Sequence, residues 1–526
     1  MARTITLRGQ IEMFPVPEQP AVAPQFMALW EQPQGLDYVT PINSFTPNKA
    51  RSSNNLRVTS AGKYIVRPGL TVVGGVAGDT QLGVVVASKD TGVEYTVRIT
   101  STGVEVSTGS TWQSYSGPTL DIPESARPEF AAWNNKLLFT DQTSGLYEID
   151  FSAKTYSLIS AAPVGKHLTV FGGRVVLSNI VNYPTRVQWC VKNDNTDWSG
   201  IGSGYDDMLS APGGVVDIQH GVYPITDTEA YVVRASSIWA MSLTGIADSP
   251  YEFAFRFAQG TDSPKSIVRL PGQGIIMLGR DDVYMVNPSG LEQLGIGIRD
   301  QLLGSDRKPQ NAVGVLDTYN MLYMLYVPAS STETTSTVYN YHWLSKSWHK
   351  DTYPFVIKDM AAGNNKTYLT ISELTGSIAE LTGAVGDLGV SGRRRGVIFA
   401  ATDGYIRRED DDSTTDAVST PVPCEITSGF IQPGGPLKSA GLVQAILAYT
   451  SERAITLTAS VSSDGGTTWA TYGSFTLQAT SIPRLVPIHK AITYPQFQVR
   501  ITGTDAVGMS LLGLYLYGTE GALVHI

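Results

Sequence analysis

Cysteine, histidine and charge are all scarce in this chain. Of its 526 residues only two are cysteine and six are histidine, and 16% are charged. Cys190 and Cys424 stand far apart in apolar, strand-like stretches with no partner at metal-ligand or redox spacing. A disulfide framework, a zinc ribbon and a thioredoxin-type motif are thereby excluded, and two buried reduced thiols are expected. His167, His220, His342, His349, His489 and His525 form no His-x-x-x-His or Glu-x-x-His pattern, so they nominate no metal centre. Asp194-Asn195-Thr196-Asp197 and Asp206-Asp207 lack the dense oxygen spacing of a calcium loop and read as caps and turns. Gly295-x-Gly297 lacks a third glycine and a following long helix, which rules out a nucleotide loop. No metal, cofactor or catalytic residue is expected.

Long apolar runs are absent as well. No stretch approaches the roughly 20 residues of a membrane span. Met1 to Pro20 alternates polar and apolar residues, contains Pro15, Pro17 and Pro20, and has no apolar core of a secretion signal. Synthesis and assembly in a cytoplasm are the expectation. A net charge of −9 argues against gripping a phosphate backbone, which draws on clustered Lys and Arg, but not against a channel through which DNA slides.

Helical periodicity is nearly missing too. In its place stand 52 Gly, 29 Pro and 25 Tyr in a chain 42% hydrophobic, a composition of many short strands and turns. Runs of four to seven alternating or β-branched residues recur on either side of a Gly, Asp or Asn turn, which is the sequence form of a hairpin. Examples are Val97 to Val106, Leu137 to Phe151, Gly274 to Val286, Val315 to Val327 and Val397 to Ile406. Several units end in a similar apolar phrase: Gly145-Leu-Tyr-Glu-Ile-Asp, Ser237-Ile-Trp-Ala-Met, Asp282-Val-Tyr-Met-Val, Gly376-Ser-Ile-Ala-Glu-Leu and Gly404-Tyr-Ile-Arg-Arg. These are expected to be equivalent strands of successive blades, because radial repetition of small sheets leaves only short edges. One short helix is expected near Ile298 to Leu303.

The fold class that follows is all-β, a β-propeller with an N-terminal arm and a C-terminal β-sandwich. Residues 1–60, Pro-rich and then rich in aromatics and Asn, form the arm and platform strands. The propeller-like domain covers 61–420, and 421–526 form the sandwich, with about seven strand candidates after the Pro421 and Pro423 boundary. Glu409 to Asp412 cannot all be buried unpaired, so this acidic run is expected at a channel wall or in open solvent. The Arg393 to Arg395 triplet is expected at an intersubunit or partner contact.

The sharpest local pattern is Ser462-Ser463-Asp464-Gly465-Gly466-Thr467-Thr468-Trp469. It resembles the Asp-box of sialidases and related propellers, a structural turn in which the carboxylate accepts backbone hydrogen bonds and the Trp packs beneath the loop. Ser462, Asp464, Gly466 and Trp469 are its expected structural residues. A sialidase would also need a nucleophilic Tyr, an acid and an arginine cluster; Arg234, Arg256 and Arg280 exist, but nothing in the sequence groups them.

Taken in order, longer phrases resemble the tail nozzle, or tail accessory (tail tubular hub), proteins of short-tailed bacteriophages. They are Asn54-Asn55-Leu56-Arg57 followed by Val66-Arg67-Pro68-Gly69-Leu70; Gly173-Arg174-Val175-Val176-Leu177 leading to Val187-Gln188-Trp189 and Asp194 to Trp198; and Val232 to Trp239. Leu278-Gly279-Arg280-Asp281-Asp282-Val283-Tyr284, Val338-Tyr339-Asn340-Tyr341 with Trp343 and Trp348, and Phe497 to Thr502 complete them. The resemblance implies a non-enzymatic structural virion protein, a homohexameric nozzle ring conducting double-stranded DNA through its lumen during genome ejection without specific binding. It also implies contacts with portal and head-to-tail adaptor proteins and with tail fibres, spikes or a needle. Competing expectations are a receptor-binding propeller of the tail and a sialidase-like glycan hydrolase.

Overall fold

The computed structural model describes residues 25–40, 45–89, 93–108, 111–208, 216–329, 332–365, 394–410, 413–416, 420–431, 438–494 and 496–523. The chain is all-β and built from small antiparallel sheets. The short helix expected near Ile298 is a single α-turn, Arg299–Leu302.

Seven of the sheets have four strands each, and six of those are drawn from consecutive chain. The first runs from Gln81–Ser88 to Gln113–Ser114, the second from Glu129–Trp133 to Thr155–Leu158, and the third from Gly165–Phe171 to Gly204–Asp207. The fourth runs from Gln219–Pro224 to Tyr251–Phe257, the fifth from Val268–Leu270 to Gly290–Gln293, and the sixth from Val313–Asp317 to Ser347–Tyr353. The seventh takes Ile357–Asn365, Arg394–Ala401 and Ile406–Asp410, and its fourth strand is Gly69–Val72 from far upstream. Two-residue hairpins close tightly where the residues tolerate positive φ. Asn134 and Asn135 do so between Trp133 and Lys136, and Gly172 and Gly173 between Phe171 and Arg174.

Hairpin signals fell where the hairpins are, as with Gly274–Leu278 against Val283–Asn287. Of the repeated apolar phrases, those at Leu146–Asp150, Ile238–Leu243, Val283–Asn287 and Ile406–Asp410 are each the third strand of their sheet. The phrase from Gly376 to Leu381 lies outside the described residues. Second strands such as Gly274–Leu278 and Leu322–Tyr326 are buried along their whole length, because neighbouring sheets cover both faces. Core clusters join first to second sheet, second to third, third to fourth, fourth to fifth, sixth to seventh, and seventh back to first.

Two wider sheets complete the molecule. One pairs Gln25–Leu29 and Tyr64–Val66 with Met509–Leu523, beside Lys438–Ser451 and Thr480–Tyr494, with Leu56–Val58 at the edge. The other orders Ala50–Asn54, Cys424–Ser428, Gln498–Gly503, Ile455–Ser462 and Ala470–Leu477. Their shared core also takes in the fifth and sixth small sheets, through Leu278, Tyr323 and Trp348. Over its described residues, the segment 1–60 contributes strands to both of these sheets. Its apolar positions Leu29, Trp30 and Leu56 find cover there, all at 1% exposure or less.

Candidate functional site: a buried charge junction

Where the upstream segment crosses from the wide sheet to the seventh small sheet, it passes through a dense set of buried charges. Asn55 turns the chain with a positive φ, one of the left-handed positions Asn tolerates. Its Oδ1 accepts from Arg67 Nε at 2.8 Å and from Thr352 N at 2.9 Å, and its Nδ2 donates to the Pro423 carbonyl at 2.8 Å. This one side chain therefore ties the backbone at Thr352 and Pro423 to the Arg67 guanidinium.

Arg57, 2% exposed, lies beyond it. Its Nε donates to Asp351 Oδ2 at 2.7 Å, and its Nη2 to Glu409 Oε1 at 2.5 Å and to the Tyr353 hydroxyl at 3.1 Å. That hydroxyl in turn donates to Glu409 Oε1 at 3.0 Å. Arg67 binds both oxygens of Asp416, donates to the Thr352 carbonyl at 2.8 Å, and stacks 4.3 Å above the Tyr353 ring. Each guanidinium thus meets a carboxylate and further acceptors, the condition under which buried charge is tolerated. Burial pulls the Arg57 guanidinium down, but Asp351 and Glu409 outweigh it and hold its pKa well above the ordinary value. Burial pushes the Asp317 carboxyl up, reinforced by Glu409, and drives His349 well below the usual imidazole range, helped by Arg57 and His342.

Glu409 corrects the expectation for the acidic run. It is 4% exposed and neither on a channel wall nor in open solvent, because Arg57 from over three hundred residues upstream neutralises it. The expectation weighed the run's own neighbours alone, and the counter-charge came from elsewhere in the fold. Asp411 and Asp412 lie outside the described residues, as does Arg393; of Arg394 and Arg395 only the strand backbone is described. Asp351, Tyr353 and Asp416 were missed entirely. Their one signal is a lone Asp or Tyr inside a mostly buried strand pattern, as in Ser347–Tyr353.

At the Asp-box turn, Asp464 Oδ1 accepts from Thr468 N at 2.9 Å and from Ser462 Oγ at 2.7 Å, while Gly466 N donates to Ser462 Oγ at 2.9 Å. Trp469 Nε1 donates to the Gly466 carbonyl at 3.0 Å, and Arg500 stacks 4.2 Å over the indole. The Thr468 bonds and Ser462 bring the Asp464 carboxyl down to about 2. Asp194 and Asp197 likewise accept backbone N–H groups of their own turns. Arg234, Arg256 and Arg280 are not grouped: they contact Asp217, Glu229 and Asp262 respectively. Cys190 and Cys424 are buried thiols, pushed by burial to about 11 and about 12. Among the described residues no three His, Cys, Asp or Glu side chains form a metal-binding group, and no helix is long and apolar enough to cross a membrane.

A cavity of about 580 Å³ lies among the first strands of all seven small sheets, lined for instance by Val84, Phe130, Thr169, Tyr223, Val268, Val315 and Ala361.

No family model matches the chain, and no curated protein does. Among solved structures it is similar to the extracellular domain of a putative hybrid two component system from B. thetaiotaomicron, at 10% identity and a TM-score of 0.38. That match covers 66% of this chain and 40% of the other. A structure described as the extracellular domain of a putative one component system from the same organism gives 9% identity and a TM-score of 0.41, covering 85% of this chain and 64% of that one. An exo-β-1,3-galactanase from Phanerochaete chrysosporium, solved with β-1,3-galactotriose, gives 9% identity and a TM-score of 0.24 over 85% of this chain and 100% of that one. The chain spans less than two thirds of the first two, and likenesses this distant carry no argument about activity.

Proposed function

We propose that this chain is a structural component of a bacteriophage tail, a nozzle subunit that assembles with copies of itself into a ring for DNA passage and is not an enzyme. In this reading the seven small sheets are blades of one propeller, with Gly69–Val72 closing the seventh, and the two wider sheets form a terminal sandwich. One observation carries it. One of the phrases that carry the family resemblance, with Asn55, Arg57, Arg67 and Gly69, is the part of the sequence that builds the buried junction. Gly69 itself leaves no room for a side chain, since a Cβ would stand 2.5 Å from the Ser413 carbonyl oxygen. A junction that fixes two β units rigidly suits a wedge in a ring under load, and a repeated head-to-tail contact closes when its rotation closes.

The cavity among the first strands is of small-molecule size, so duplex DNA would run between copies and not through one chain. A net charge of −9 suits a wall that does not trap phosphate. Portal and adaptor proteins, fibres, spikes or a needle are the partners this reading assigns, and the virion tail is the location.

The test is the mass and symmetry of the purified protein or virion. Sixfold rings on the tail axis are expected. Trimers at the tip of a fibre would favour the receptor-binding alternative, and cleavage of sialosides by the purified chain would favour the hydrolase.

A further inference from the structure

Two surfaces of this chain expose apolar side chains beside charge of opposite sign. The first is strand Thr480–Tyr494, the end strand of its wide sheet, which pairs with Lys438–Ser451 on one side. Ile482 and Leu485 stand out from it at 72% and 64% exposure. It carries Arg484 and Lys490, both exposed, and no Asp or Glu. Lys490 donates to the Thr471 carbonyl at 2.9 Å, and neither cation has an ion-pair partner among the described residues. Pro483 and Pro487 leave gaps in the donors of the free edge, so it cannot be extended as a continuous ladder and offers its side chains instead.

The second surface lies at one end of the fourth small sheet. Leu243 N donates to the Thr228 carbonyl at 3.0 Å, and Ser242 stands in register with both Glu229 and Glu252. The turn at 226–228, the loop 244–250 and the start of the edge strand Tyr251–Phe257 therefore meet. They present Asp227, Asp248 and Glu252, all exposed, beside Ile246 at 62%. The neighbouring cation Arg256 is already engaged by Glu229 at 3.3 Å, and the three carboxylates have no ion-pair partner among the described residues.

A single exposed Ile or Leu is ordinary on a protein surface. What needs an account is a basic apolar strip on a chain of net charge −9, together with an acidic apolar patch that could match it. The fourth sheet packs on the third and fifth, and none of its residues enters the core around the wide sheets. The two surfaces belong to separate parts of the fold, and their charges are complementary.

We propose that a second copy of this chain joins them: strand Thr480–Tyr494 of one copy docks against the acidic end of the fourth sheet of the next. The proposal rests on the ring reading above and supplies its contact. Because the two surfaces differ, the contact is head-to-tail, the kind that closes rings, and not a two-fold pairing of like surfaces.

The mass distribution of the full chain, followed against protein concentration, decides it. Four proteins are compared: wild type, Arg484→Glu with Lys490→Glu, Asp248→Lys with Glu252→Lys, and the chain carrying all four changes. Wild type is expected as rings. Either pair should raise the concentration at which half the rings dissociate roughly tenfold or more, because like charges then face each other, and all four together should restore most of the loss. All four positions are exposed, so melting by circular dichroism should match wild type; if one pair melts early, the other pair still decides. Rings that survive both pairs, or that the quadruple variant does not restore, overturn this contact and leave the ring reading standing. A wild-type chain that stays monomeric at every concentration overturns the ring reading and the contact with it.

Discussion

Each of the first six small sheets is drawn from one short stretch of chain, whereas the two wider sheets take strands from both ends of it. Pairings such as Glu129–Trp133 with Lys136–Thr140 span a few residues, but Gln25–Leu29 pairs with strand Met509–Leu523 at the far end. The local sheets find their partners through turn chemistry, at little loop-closure cost. The wide sheets have no such guide and must hold register by burial and by specific polar contacts. The difference accounts for where the chain places its costly residues. Hairpin turns such as Asn134-Asn135 and Gly172-Gly173 need no charge, while the crossing from one region to the other uses Arg57, Arg67, Asp351, Glu409 and Asp416, all buried.

The comparison is broken most severely at Arg57. Arg57→Met leaves Asp351 and Glu409 buried without their cation, and a loss of about 3–5 kcal/mol in chemical denaturation is expected. The unfolding of the variant should show two transitions, with the wide sheets separating from the small ones. A loss below about 1 kcal/mol would mean that the junction does not couple the regions.

Next in size is the closing strand. Leu70, 3% exposed, packs in the core shared by the sixth and seventh sheets, so Leu70→Ala should cost about 3 kcal/mol and raise protease sensitivity near residues 69–72. If the seventh sheet holds without it, stability will be nearly unchanged.

Acid separates the regions by pH window. His220 in the fourth sheet is lowered by burial to about 4, so the unfolded chain binds its proton first as pH falls below about 6.5. Stability is therefore complete above that pH and declines toward pH 4, by about 2–3 kcal/mol, and His220→Gln should flatten the decline. Asp464, held down by Thr468 and Ser462, acts lower: its contribution is present above about 3.8 and is lost toward about pH 2. A titration of melting temperature in wild type and His220→Gln resolves the two windows.

The smallest effect is expected at the Arg453–Asp505 pair, a bidentate contact like that of Arg67 and Asp416 but partly open to water. Arg453→Met should change stability by about 0.2–1 kcal/mol and less in high salt. The contrast with Arg57 measures what burial adds to the same chemistry.

Much of the β architecture was legible because it is local. The hairpins read at Leu137 to Phe151, Gly274 to Val286 and Val315 to Val327 each declare themselves within about fifteen residues. Glu409 was misread for the opposite reason. Its partner Arg57 is distant in sequence, and no window of sequence reports what stands opposite a carboxylate in space. The same holds for Gly69–Val72, whose partner strand is Ile406–Asp410, and for Gln25–Leu29, whose partner strand is Met509–Leu523.

The sequence by itself determined that this protein is all-β, poor in reactive groups and made of repeated hairpins, since side-chain alternation and turn residues act over neighbouring positions. Only the tertiary structure decided which distant strands pair and where the buried charges find their partners. Those outcomes depend on which surfaces meet, and a buried charge settles only where the folded chain brings the opposite charge to it.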